Sequence, residues 1–253
     1  MRGGADPGGV SDLVDASFGW TSNLGAPAAL VAGAVIATLY ENIRSGDLEL
    51  LPTDTRQRRL GKKAARALLL LAFALEMTCI FVTTVTGTML MSRELSVMDD
   101  VAGITEHTTP LSFLKGNFEF EYLTARITLL QGIFNWLAAI GLTHWISEED
   151  DWEHLWLNRF IASALFSSIF LMFSFYNAHM TFYPNYAAML TRWLTVSWSR
   201  FVWTWPPRPM AVLFLPSLAL TCYAGYKAFL VTHPPGPVSV TSTNVEKDDA
   251  PTE

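Results

Sequence analysis

The sequence predicts an all-α, polytopic membrane helical bundle with four core transmembrane helices, a fifth helix, and an aromatic helix lying at the membrane interface. Three observations predict it. Of the 253 residues 51% are hydrophobic and only 16% charged, a balance that excludes a disordered chain and an ordinary soluble domain. The apolar residues gather into runs at 24–41, 67–91, 122–146, 160–183 and 210–231. Runs of this length match a hydrocarbon core about 30 Å thick at about 1.5 Å per residue. The net charge of −6 resides mainly in the connections and tails. Residues 1–22 read as an N-terminal tail, 23–231 as the transmembrane domain and 232–253, rich in Pro, Ser, Thr and acids, as a disordered tail. The first twenty residues contain no apolar segment of the signal-peptide kind.

In the first span Gly25, Ala29, Gly33 and Ala37 recur every four residues, and the next step along the row is Glu41. Small residues at that spacing let helix backbones approach closely. Two readings are open: a helix–helix packing seam, or a pore-lining helix repeated around an oligomer axis with Glu41 carboxylates at its mouth. The connection after this span carries Arg44, Arg56, Arg58, Arg59, Lys62, Lys63 and Arg66, whereas 92–121 carries Arg93 and Lys115 as its only Arg and Lys, beside six acids. The basic connection is therefore expected on the cytosolic side or its organellar equivalent, with the N-terminus on the other. Against this bias stand Arg192, Arg200 and Arg208, which precede the last span on what would be the outer side.

The second span holds Glu76 in a run, 67–91, without another charge. Counted from Arg66, Glu76 lies roughly 15 Å into the hydrocarbon. An ionisable side chain at that depth is costly unless protonated, paired or facing water, and marks a functional hypothesis. In the third span Thr124, Thr128, Gln131 and Asn135 fall along one stripe; in the fourth, Ser163, Ser167, Ser174, Asn177 and Thr181 do the same. Such stripes are expected to face other helices and to offer Glu76 hydrogen-bonding partners. Between the fourth and fifth spans, 185–205 carries four Trp, one Phe, one Tyr and two Arg, the composition of a helix lying among headgroups. Pro206, Pro207 and Pro209 then break the chain. The fifth span contains Pro216 and, near its end, Lys227.

Neither Cys79 nor Cys222 suggests a disulfide or zinc site, since both fall within spans. His144 and His179 lie near opposite faces of the bilayer and cannot bracket one haem. His154 lies beyond the acidic connection 147–153, a solvated loop. No catalytic or nucleotide-binding motif occurs in a supporting context, so the expectation is a non-enzymatic protein without a cofactor, and nothing resembles a nucleic-acid-binding surface.

The first two spans resemble those of Orai-type calcium channels. Residues 29–41, an Ala-Leu pair followed by Gly33 and apolar residues ending in Glu41, are similar to that family's pore helix, and Leu69-Leu70-Leu71-Ala72-Phe73 to the opening of its second span. The resemblance covers 28–190. It implies that Glu41 selects cations such as Ca2+ and that Leu30, Gly33 and Ala37 line a pore. Three features depart from the family's pattern: no basic residues in 23–28, a fifth span, and a Glu41 that adjoins the basic connection. Two functions are thus expected. One is cation permeation or transport by an oligomer, with Glu41 at the mouth and Glu76 as an intramembrane acid. The other is a non-catalytic subunit or scaffold that binds lipid and the partners of a larger membrane complex.

Overall fold

The computed structural model describes residues 7–92, 109–147, 152–202 and 211–230. Among these residues the chain forms seven helices and no strand: α1 (Pro7–Ser45), α2 (Arg56–Ser92), α3 (Pro110–Asn117), α4 (Glu119–Ile146), α5 (Trp152–Ala178), α6 (Tyr186–Val202) and α7 (Ala211–Phe229). Four of them, α1, α2, α4 and α5, are long and apolar enough to cross a membrane. The fold is a helical bundle of the predicted class. The fifth predicted span forms the 19-residue α7.

Helix boundaries depart from the apolar runs because a helix does not end where its hydrocarbon-spanning part ends. α1 begins at Pro7, so residues 7–22, expected as a tail, continue the helix. Buried Ser17 and Thr21 are accommodated there by bonding back to Leu13 and Phe18 carbonyls at 2.7 Å each, which satisfies a polar group without another chain segment. α3 went unpredicted. Its signal is local: Thr109 caps the helix and exchanges hydrogen bonds with Ser112, with Pro110 in the first turn. Pro206, Pro207, Pro209, Trp203, Trp205 and the 232–253 tail lie outside the described residues.

The bundle is layered in the order α1, α2, α4, α5, with α2 packed between α1 and α4. Val35 from α1, Ala65, Leu69 and Ala72 from α2 and Ala139 from α4 share one buried cluster. Small residues set the spacing: a Cβ on Gly61 would lie 2.7 Å from Ile146 Cγ2, so the start of α2 touches the end of α4. The second cluster gathers Leu90, Phe113, Leu114, Tyr122, Leu123, Ile127, Tyr186 and Met189 at the opposite end. It joins α3, α4 and α6 to the end of α2. α6 is tied to α4 by Arg192–Glu119 and Arg200–Glu121 ion pairs, each 2.7 Å, and by Trp193 Nε1 donating to Thr124 Oγ1 at 2.9 Å. Glu119 and Glu121 occupy the first turn of α4, where the helix dipole also favours acids. α7 is peripheral: its described side chains are almost all exposed.

The connection between α1 and α2 is closed by a compact charge cluster. Lys62 Nζ donates to both Asp54 carboxylate oxygens, at 3.0 and 2.8 Å, and to Glu49 O at 2.7 Å. Asp54 also accepts from the Leu51 N–H at 2.9 Å. Burial pushes the Asp54 carboxyl up, but the Lys62 and Leu51 hydrogen bonds and the Lys62 and Arg58 charges outweigh it and hold it below its ordinary 3.8.

Candidate functional site

Two features of the bundle bear on function: the acid sealed between α2 and α4, and the face of α1 that the described residues leave uncovered.

Glu76 is 0% exposed. It enters α4 where Gly132 leaves room; a Cβ at Gly132 would lie 2.8 Å from Glu76 Cδ and closer still to Oε1. Neither carboxyl oxygen has a hydrogen-bond partner, contrary to the expectation that polar stripes on neighbouring helices would supply one. The cause is visible in the threonines. Thr83, Thr124 and Thr128 are buried, yet their hydroxyls donate to the carbonyls four residues back, at 2.8, 2.7 and 2.8 Å. A hydroxyl one turn from a carbonyl closes that bond without moving a helix. The stripe is therefore satisfied within its own helices before Glu76 is reached.

The other members of the stripe form a chain of side-chain bonds. Tyr186 Oη donates to Gln131 Oε1 at 3.2 Å, and Gln131 Nε2 donates to Asn135 Oδ1 at 2.9 Å. Asn135 Nδ2 is buried and unbonded. Asn135 lies about one turn beyond Gly132 on α4, so an orphan donor and two orphan acceptors are buried near the same level of that helix. Asn177 takes a different role: its Oδ1 accepts the Tyr186 N–H at 2.8 Å and anchors the start of α6.

The α5 stripe is corrected by the structure. Ser163, Ser167 and Ser174 are exposed, Asn177 is half-buried, and Thr181 lies exposed beyond the end of the helix. Ser163 bonds to the Phe160 carbonyl of its own helix, at 2.9 Å. α5 turns Ala162, Phe166 and Phe173 inward instead; Phe166 packs against Gly141, and Phe173 against Phe134 and Tyr186. Aromatic bulk, not hydroxyl spacing, decides which face of α5 packs.

On α1 the buried face is Ala28, Ala32 and Val35. Of the two glycines in the small-residue row, Gly25 makes a close intrachain approach, its Cβ position 2.8 Å from Thr83 Oγ1. Ala29, Gly33, Ala37 and Glu41 are exposed, as is Leu30 at 77%. A Cβ on Gly33 would meet nothing within 4 Å. The row thus runs from the α2 contact onto a face that no helix among the described residues covers, and Glu41 ends it.

His144 Nδ1 lies 3.0 Å from Asn158 Oδ1 and His179 Nδ1 2.9 Å from Phe175 O, so each is engaged locally. Among the described residues no group of three or more His, Cys, Asp or Glu could hold a metal ion. What sequence reasoning missed is the docking of α6: Glu119, Glu121, Arg192 and Arg200 are too far apart in the chain for spacing to pair them. No family model, no curated protein and no solved structure matches the chain.

Proposed function

We propose that this protein is a multi-pass membrane subunit that assembles through the outer face of α1, a non-catalytic building block of a membrane complex. The supporting observation is the uncovered row Ala29–Gly33–Ala37, where Gly33 has open space in place of an intrachain neighbour. Small residues four apart favour close helix association in a bilayer, because packing replaces the absent hydrophobic drive. A second copy of α1 offers the same row and is the simplest occupant. The subunit count in liposomes, read by single-molecule photobleaching, tests this. Wild type is expected as an oligomer and Gly33→Leu as a monomer of unchanged thermal stability; a wild-type monomer sinks the proposal.

A second reading, cation permeation along a shared α1 axis, is favoured by one observation. Glu41 is exposed at the end of the same face, so assembly would gather its carboxylates as an acidic ring, with Leu30, Gly33 and Ala37 lining the path to it. The resemblance to Orai-type channels points the same way. Arg44, three residues on, and the basic start of α2 oppose it electrostatically. Cation flux into vesicles decides between the readings: flux lost in Glu41→Gln supports permeation, whereas equally tight wild-type and Glu41→Gln vesicles leave the subunit role alone. Glu76, sealed between α2 and α4, belongs to the bundle interior in either case.

A further inference from the structure

The basic residues at the start of α2 divide into two sets. Arg58 and Lys62 turn inward onto Asp54, with Arg58 Nε 3.5 Å from Oδ1 and Lys62 Nζ 2.8 Å from Oδ2. Arg56, Arg59, Lys63 and Arg66 follow one another at steps of three, four and three, which places them along a single stripe of the helix. Arg56 and Arg66 are exposed; Arg59 and Lys63 are half-buried. Lys63 Nζ donates to the Ala228 carbonyl near the end of α7 at 2.7 Å. Among the described residues no carboxylate pairs with Arg56, Arg59 or Arg66. The nearby buried acid Asp54 is already taken by Lys62.

This stripe stands where the apolar surface of α2 begins. Leu60 within it and Leu70 just beyond it are about half exposed, at 49% and 50%. Guanidinium groups beside exposed aliphatic surface at a membrane boundary match both parts of an anionic phospholipid: the phosphate accepts paired N–H bonds and an acyl chain lies along the leucines. The charge bias of the connections assigns the stripe to the cytosolic side or its equivalent, where the leaflet carries the anionic lipid. We propose that Arg56, Arg59 and Arg66, flanked by Lys63, bind the headgroup of an anionic phospholipid of that leaflet. The occupant is a lipid and not a free anion, because apolar surface continues directly from the charges.

Native mass spectrometry of the full chain in neutral micelles tests the site, with phosphatidylglycerol, phosphatidylcholine or inorganic phosphate added separately. Wild type is expected to retain phosphatidylglycerol and neither of the others. The triple variant Arg56→Gln/Arg59→Gln/Arg66→Gln should bind it more weakly by on the order of a hundredfold, near 1 kcal/mol per charge. The triple Arg→Lys variant, which keeps the charge but loses the paired N–H donors, should bind between wild type and the glutamine variant. Equal retention of phosphatidylcholine, equal binding of phosphate, or undiminished retention by the glutamine variant overturns the proposal. A photoreactive phosphatidylglycerol on the wild-type protein supplies a second measurement that needs no variant. Labelling within 56–70 supports the site, and labelling confined to other helices contradicts it.

Discussion

A buried carboxyl with no partner is destabilising in any solvent, and Glu76 is such a group. A protonated acid still leaves its hydroxyl and carbonyl undersatisfied, at a cost of about 1–3 kcal/mol. Replacing it by an apolar side chain of similar length should therefore be tolerated. Glu76→Met is expected to leave the thermal midpoint unchanged or raised, and a collapse of the fold would reveal a partner that the geometry does not contain. Gly132→Ala makes the complementary case. Its methyl group would collide with the Glu76 carboxyl, so α2 and α4 must separate or Glu76 must leave its rotamer, a cost of about 1–3 kcal/mol. Combined with Glu76→Ala the loss should be largely relieved, which a double-mutant cycle of thermal midpoints measures. Additive losses would show that Gly132 serves some purpose other than receiving Glu76.

At the level of elements, the α1–α2 connection is held by a charge cluster as well as by the burial of Leu48. Asp54 binds Lys62 and the Leu51 N–H, and its carboxyl is held below 3.8. Because the folded value is the depressed one, the stabilisation is fully present above 3.8 and disappears as pH falls through the lowered value. Asp54→Asn should cost on the order of 1–3 kcal/mol, between an exposed and a sealed ion pair since the connection lies at the surface. Its midpoint should converge with that of wild type only in strong acid; convergence already near neutral pH would mean that Asp54 is not ionised in its role. Such a contact is hard to read from sequence, because it depends on how a ten-residue connection folds back. The long helices are another matter. α2 and α4 follow directly from apolar runs, and the inward stripe of Thr124, Thr128 and Asn135 follows from helical period. The same period misleads on α5. Serines bond to their own backbone and cost little on an exposed face, while Phe166 and Phe173 claim the interior. Spacing reports which residues share a face; it does not report which face packs.

At the scale of the whole molecule the layering of the described helices leaves one side of α1 open. α1 buries Ala28, Ala32 and Val35 in the bundle, and turns Leu30, Gly33 and Ala37 away from it. The row of small residues was legible in the sequence, but whether it served this chain or another was not, since four-residue spacing is the same in both cases. The geometry separates them: Gly25 approaches Thr83 of α2, whereas Ala29, Gly33 and Ala37 are exposed. The proposed role rests on that face meeting its own copy. Cysteine cross-linking in native membranes tests it most directly, in a background where the exposed Cys222 is replaced by Ser and the buried Cys79 is left in place. Single cysteines at Leu30, Gly33 and Ala37 should form disulfide-linked dimers on oxidation, while those at Ala32 and Val35, which are buried in the bundle, should not. Cross-linking at Ala32 and Val35 with none along the small-residue row would contradict the account.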